Sequence, residues 1–165
     1  TRSTPGSAAA PEPPGRWRVV VPEAEALPAL AELAARSYRA AFDGLVPEPA
    51  LARRTPAVFL ARFEADRERV RAVFRDGVPL GYSLMRDGHL DLLFLEPGAR
   101  GRGVGAALLA DAVGRGCRSL ECFAANAPAR RFYERLGWRL ATTYRRELDG
   151  FQMEFVRYEL PGDGA

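Results

Sequence analysis

The sequence predicts an α+β domain with a mixed, mostly antiparallel central sheet and flanking helices. Two Asp-Gly pairs, Asp76-Gly77 and Asp87-Gly88, join three strand-like runs into an antiparallel meander. Segments with apolar residues at helical spacing stand before and after that meander. The third strand-like run ends at Glu96-Pro97 and passes through a glycine-rich loop directly into a helix-like run.

Trp17 to Val21 reads as a first strand, stopped by Pro22. From Glu23 to Ala41, the residues Leu27, Leu30, Leu33, Ala34, Tyr38 and Ala41 recur close to helical spacing, and Asp43-Gly44 with Pro47 and Pro49 breaks the run. A second helical region covers roughly Leu51 to Ala65, with Val58, Leu60 and Phe63 expected in the core. Arg69 to Arg75 alternates polar and apolar residues as a half-buried strand, and Pro79 to Arg86 and His89 to Leu95 complete the meander. Val104 to Arg115 is helical, Arg118 to Phe123 a strand, and Ala129 to Leu136 a helix ended by Gly137. Trp138 to Thr143 and Met153 to Leu160 close the sheet, with Arg145 to Gln152 read as the loop between them. The order is β-α-α-β-β-β-α-β-α-β-β, without an internal repeat.

At 165 residues the chain fits one domain, residues 17–160, long enough for a real core. Residues 1–16 are rich in Pro, Ala and Gly, lack the apolar core of a signal peptide, and are expected to form a flexible tail; residues 161–165 are expected to be disordered. No apolar run approaches the roughly 20 residues of a membrane span, so no membrane partner is expected. With 24 basic and 21 acidic residues the formal charge is +3. That balance suits an anionic ligand and is too mild to argue for nucleic acid. Every basic residue is arginine, and Asn126, Gln152 and His89 are each the single residue of their type, a pattern that resembles GC-rich coding bias. A residue type so nearly eliminated draws attention where it stands. Cys117 and Cys122 are too few and too close for a disulfide framework, and no other Cys or His clusters with them. Reduced thiols in a cytoplasmic protein, and no metal, are the expectation.

Arg100-Gly101-Arg102-Gly103-Val104-Gly105 gathers bare backbone N–H groups at a helix N-terminus and sets two guanidiniums beside them. Such a loop suits a diphosphate, with the glycines clearing space for close approach. The run also scans as Gly-x-Gly-x-x-Ala from Gly101 to Ala106, with Glu121 about 18–20 residues on, which fits a dinucleotide-binding fold. Against an NAD(P)-binding oxidoreductase stand the long loop after Leu95 and the antiparallel strands where a βαβ series should begin. A single RGRG between a strand and a helix is also a weak RNA-binding motif.

These motifs, in this order of elements, resemble the GNAT superfamily of acyl-CoA-dependent N-acetyltransferases, over about Trp17 to Leu160. The family's phosphate loop is Gln or Arg, two residues, Gly, one residue, then Gly or Ala, and Arg100 to Gly105 fits it. The resemblance implies acetyl-CoA as co-substrate, with Arg100, Gly101, Arg102, Gly103, Val104, Gly105 and Ala106 at its pyrophosphate. It implies a bulge that splays the preceding strand from its neighbour, so that Leu93, Phe94 and Leu95 pair with the pantetheine arm and the N–H near Leu95 polarises the thioester carbonyl. A second block, Leu120 to Asn126 followed by Ala129 to Trp138, is similar to the family's other hallmark. Asn126 would reach the pantetheine or cap the helix, and Tyr133 would serve as general acid for the departing thiolate. The residue pattern alone also allows Tyr133 to be a core aromatic. Arg130 and Arg131 read as a solvated helix face more readily than as contacts to the CoA 3′-phosphate.

The base that takes the amine proton has three candidates. His89 and Asp91 share a strand face by their spacing, and His89-Leu90-Asp91 resembles the His-Leu-His segment of serotonin N-acetyltransferases, with Asp in place of the second His. Glu121 matches an acidic residue of ribosomal-protein N-terminal acetyltransferases. An amine that binds neutral needs none of them. The implied function is N-acetylation of a primary amine by direct attack in a ternary complex; a non-catalytic CoA-binding sensor of the same fold is the alternative. The acceptor, a small-molecule amine or a protein N-terminus, falls to the stretches Ala24 to Pro56 and Arg145 to Gln152. Their charges (Arg36, Arg39, Arg53, Arg54, Arg145, Arg146, Asp43, Glu147 and Asp149) read mostly as solvated surface. A homodimer through the C-terminal strands stays open.

Overall fold

A computed structural model describes residues 16–162. The tail expected over residues 1–16 lies outside the described residues except for Arg16, as do residues 163–165 of the expected disordered terminus. The elements are β1 (Val19–Val20), α1 (Leu27–Phe42), α2 (Glu48–Leu51), α3 (Pro56–Ala65), β2 (Val70–Arg75), β3 (Val78–Arg86), β4 (His89–Leu95), α4 (Val104–Gly114), β5 (Ser119–Phe123), α5 (Ala127–Arg135), β6 (Arg139–Leu148) and β7 (Phe151–Glu159). The strands form one sheet in the order β1-β2-β3-β4-β5-β7-β6. Among them only β4 and β5 run parallel. A doubly wound parallel sheet, which the dinucleotide-binding alternative requires, is therefore excluded.

Several sequence expectations need correction. The first strand shortens to Val19–Val20. The helix expected over Leu51 to Ala65 begins only at Pro56, and Leu51 ends the separate short helix α2: Thr55 Oγ1 accepts from Val58 N at 3.3 Å and Pro56 needs no N–H partner in the first turn. That start aims Phe59 and Phe63 at the core and leaves Val58 47% exposed, contrary to its expected burial. The segment Arg145 to Gln152 is not a loop. Arg145–Leu148 continue β6, and the chain reverses at Asp149-Gly150, where both residues have positive φ (48° and 87°), as at the two meander turns.

Two apolar layers cover the sheet. On one face, α1 and α3 bury Leu30, Leu33, Phe59 and Phe63 against Tyr82, Leu84 and Phe94. On the other, α4 and α5 bury Leu109, Ala112 and Tyr133 against Leu90, Leu120 and Tyr158. Each fully buried large side chain contributes about 1.5–3 kcal/mol.

The sheet opens where β4 meets β5. β4 is paired with β3 along Gly81↔Leu95 to Arg86↔His89, yet it meets β5 only at His89↔Ser119 and Leu90↔Leu120. A bulge at Asp91 accompanies the parting, since Leu92 faces Leu84 and Leu90 faces Met85 with Asp91 left over. The extra residue shifts the side-chain alternation. Leu90 and Leu93 both face α4 and α5, whereas Leu92 and Phe94 face α1 and α3. The splayed strand pair implied by the family resemblance is present. No helix among the described residues is long and apolar enough to cross a membrane.

Candidate active site

A cavity of about 360 Å³ occupies the gap between β4 and β5. Its volume lies in the range of small-molecule sites. It opens through the sheet: Asn126, Ala129 and Tyr133 line it from the α5 side, and Tyr38, Phe42, Arg54 and Arg62 from the α1 and α3 side. Leu93 and Phe94 form one wall, and Glu121, Cys122 and Phe123 the other.

The β4 wall is main chain without a strand partner. Glu96 N donates to Leu80 O at 2.8 Å, which fixes the hydrogen-bonding parity of β3 and β4. Alternation then turns the N–H and C=O of Leu92 and Phe94 toward β3, and those of Leu93 and Leu95 toward the gap that β5 has vacated. The main chain of Phe94 is thus occupied, and its ring serves the wall.

Beyond β4, the glycine loop leads into α4. Gly101 and Gly103 hold φ of 76° and 87°, and a Cβ on Gly101 would meet nothing within 4 Å, so the backbone there faces open space. Gly103 is the N-cap and its carbonyl accepts from Ala107 N at 3.0 Å. The N–H groups of Val104, Gly105 and Ala106 therefore have no acceptor within the helix, and no side chain caps them. Gly105 has a different task from the other two. A Cβ there would stand 3.3 Å from Phe132 Cζ and 3.5 Å from Leu95 Cδ1, so it lets α4 pack closely. Arg100 is exposed and Arg102 half-buried beside the loop. Trp17, which sequence reading assigned only to a strand, donates Nε1–H to Arg102 O at 2.8 Å, and its ring lies under the Arg75 guanidinium at 4.6 Å. An indole clamp holds the loop from outside.

Asn126 both caps α5, accepting at Oδ1 from Ala129 N at 3.4 Å, and lines the cavity. Tyr133 is 6% exposed, packs against Phe132, Trp138 and Tyr158, and also reaches the cavity. Core aromatic and site residue are one and the same here. Burial, reinforced by Cys122 and Cys117 nearby, holds its phenol protonated well above the ordinary tyrosine range. Cys122 stands in the same wall, and burial pushes its thiol up to about 12. Arg130 ties α5 down, donating to Tyr158 Oη at 3.0 Å and Ala124 O at 3.1 Å, while Arg131 is exposed.

The three candidate bases separate. His89 does not line the cavity; its Nδ1 lies 2.8 Å from Ser119 Oγ, at the end where β4 and β5 are still paired. Six residue steps of strand, roughly 20 Å, separate it from Leu95. Asp91 and Glu121 do line the cavity, one on each lip. Asp91 Oδ2 accepts from Arg62 Nη2 at 3.2 Å. Both oxygens of Glu121 are engaged, one by the Tyr144 hydroxyl and one by Arg146.

Three arginines line the same cavity: Arg54, Arg62 and Arg146. Sequence reading left Arg54 and Arg146 on solvated surface and did not single out Arg62. The signal for Arg62 was helical phase, because it follows Phe59 by three residues and shares its face. The signal for the other two was absent, since their inward turn depends on the Asp149-Gly150 hairpin. Asp149 reaches back from that turn to Arg54 at 2.8 Å. Among the described residues, no group of three or more His, Cys, Asp or Glu side chains converges on a metal-sized site.

The acetyltransferase (GNAT) family profile matches residues 27–138. No curated protein sequence matches the chain. Among solved structures, the chain is similar to apo YjaB from Escherichia coli, with TM-score 0.70, 20% identity, and 88% of this chain and 98% of that one covered. It is similar to the ribosomal-protein-S18-alanine N-acetyltransferase of Escherichia coli, with TM-score 0.62, 21% identity and coverage of 90% and 96%. It is also similar to the PaiA N-acetyltransferase of Thermoplasma acidophilum in complex with coenzyme A, with TM-score 0.63, 16% identity and coverage of 87% and 98%. At these identities the likeness is one of fold.

Proposed function

The chain belongs to the GNAT family of acetyltransferases, and from that premise we propose that it is an N-acetyltransferase moving the acetyl group of acetyl-CoA to a primary amine by direct attack. The observation that carries this reading is the passage through the sheet between β4 and β5. Its β4 wall offers unpaired main-chain groups, and a protonated tyrosine stands in the α5 wall. The residues present fit the co-substrate. Orphan N–H groups at the start of α4, two left-handed glycines of which Gly101 faces open space, and two flanking guanidiniums suit a diphosphate. The free edge of β4 suits an amide-bearing arm. Bound acetyl-CoA would supply the activated acetyl thioester.

The residues of the chain then divide the work. Arg100, Arg102 and the N–H groups of residues 101–106 hold the diphosphate, and Leu93 and Leu95 pair with the arm. The family resemblance implies carbonyl polarisation by the N–H near Leu95. We assign it to Leu93 N–H, because Leu93 lines the cavity beside Tyr133 while Leu95 packs under the glycine loop. Tyr133 gives its proton toward the leaving sulfur, and its raised pKa keeps that proton in place at neutral pH. Asp91 or Glu121 takes the amine proton, directly or through water. His89 has no part in this reading. A neutral Cys122 is a poor nucleophile, which favours direct attack over an acyl-protein route.

The test is release of free CoA from acetyl-CoA with a panel of primary amines, for the unmodified chain and for Tyr133→Phe. Amine-dependent release that falls steeply in the variant supports the reading. Tight CoA binding without release from any amine would identify the alternative, a CoA sensor of the same fold.

A further inference from the structure

We propose that the acceptor is an amine with a carboxylate close to its amino group, namely an α-amino acid with an apolar side chain. The inference rests on the acetyltransferase reading above and names the substrate class of that same cavity. The α1 and α3 side of the cavity is where an acceptor must enter, since the α5 side carries Asn126 and Tyr133. Its wall is aromatic: Phe42 contacts Phe94 and Phe123 edge-on at 5.8 and 4.6 Å, and Phe123 packs on Phe155 at 4.8 Å. Its rim is guanidinium.

The rim is more cationic than its carboxylates can balance. Arg54 and Arg53 share the single carboxylate of Asp149, at 2.8 and 4.0 Å. Arg62 pairs with Asp91 at 3.2 Å, and Arg146 with Glu121. Of these side chains three guanidiniums, Arg54, Arg62 and Arg146, line the cavity with two carboxylates, Asp91 and Glu121, while Arg53 and Asp149 stand behind the lining. Each guanidinium carries five donors, and in Arg54 the buried Nε has no partner among the described residues. Two of the rim arginines are also fixed in orientation. Arg146 lies over the Phe155 ring at 3.9 Å and Arg54 over the Tyr38 ring at 5.7 Å. A guanidinium stacked on an aromatic ring keeps its fork in one plane, the arrangement that reads a carboxylate.

An acceptor that brings only an ammonium would add charge of the same sign to this rim. An α-amino acid brings the missing anion two bonds from its nitrogen. Its amine would meet Asp91 and Glu121 at the lips of the cleft, its carboxylate would meet Arg54, and its apolar side chain would lie on the phenylalanines.

The experiment compares L-phenylalanine, L-phenylalaninamide and phenethylamine, and the matching leucine series, as acceptors for the full chain with acetyl-CoA. The amide keeps the carbon skeleton of the acid and removes its negative charge. The expected result is a kcat/KM at least tenfold higher for the acids, carried mainly by KM. In Arg54→Gln the acid-to-amide ratio should fall toward one, with partial recovery in Arg54→Lys. Amides or simple amines used as well as the acids would overturn the proposal, as would preference for an alanine-led peptide. Equal losses for acid and amide in Arg54→Gln would overturn it too. Turnover of the amides would leave the acetyltransferase reading intact. A chain that binds acetyl-CoA yet acetylates no member of either series overturns the proposal, and a chain that does not bind acetyl-CoA overturns the reading beneath it. The comparison of substrates on the unmodified chain stands even if the Arg54 variants fold poorly.

Discussion

The two sides of the sheet build their halves of the cavity by different means. On the α4 and α5 side, the groups fall within the stretch from Leu93 to Tyr133 and are mostly main chain: two N–H groups of a parted strand, the bare start of a helix, and one phenol. On the α1 and α3 side, the groups are side chains gathered from Tyr38, Arg54, Arg62, Asp91, Arg146 and Phe155, nearly the whole length of the chain. Main-chain donors need only a loop of the right conformation, and that is written locally in glycines and a helix start. A side-chain constellation needs every element in place before it exists.

This contrast can be broken by substitutions on each side. The largest effect is expected for Gly103→Asp, which sets a carboxylate at the N-terminus of α4 where φ is 87°. Losing about two charge-assisted hydrogen bonds, at roughly 1.5 kcal/mol each, weakens acetyl-CoA binding about 100-fold by calorimetry. Undiminished binding would remove the loop from the account. Tyr133→Phe should lower kcat by about 100-fold, the usual scale of a lost proton donor, while acetyl-CoA affinity stays within about threefold. An unchanged turnover would return Tyr133 to the core alone.

On the acceptor side, Asp91→Asn and Glu121→Gln should each reduce kcat/KM by about tenfold, below the range typical of a sole general base because the two carboxylates flank the same gap. His89→Gln should stay within about twofold of the parent, since its imidazole bonds Ser119 outside the cavity. A large loss at His89 with none at Asp91 or Glu121 would reverse the assignment.

A separate effect, on folding and not on binding or turnover, lies in stability at alkaline pH. Tyr82 and Tyr133 are buried, and burial raises both phenol pKa values above the ordinary value near 10. Above pH 10 the unfolded chain releases these protons while the folded chain retains them, so stability falls as pH rises, by about 1.4 kcal/mol per tyrosine per pH unit. Urea unfolding midpoints between pH 9 and 11.5 measure it. A flat profile would mean that the phenols are solvated in the folded state.

The same contrast explains what could be read in advance. The meander was legible because Asp-Gly turns force φ > 0 at two successive residues, and the glycine loop because Arg100 to Gly105 is contiguous. The parting of β4 from β5 came from family resemblance, since nothing in Leu90 to Leu95 by itself marks Asp91 as a bulge. Another Asp-Gly pair, Asp149-Gly150, carries the same signal as the two meander turns, yet it falls in a charged stretch that reads as a loop. Reading it so ends β6 at Thr143 and misses its second half, and with it the inward turn of Tyr144 and Arg146. Val58 was misplaced because the phase of α3 depends on where Thr55 and Pro56 start it. The pairing of Arg54 with Asp149 joins residues far apart in sequence, and no local pattern announces it.

The proposed function stands on acetyl-CoA binding in the gap between β4 and β5 together with the start of α4. Amide NMR of the 15N-labelled chain, titrated with CoA, tests it without knowledge of the acceptor. The amides of Leu93, Leu95, Gly101, Gly103 and Gly105 should shift together along one saturable curve, while His89, at the paired end, moves little. Saturable binding that leaves those five amides in place would contradict the account.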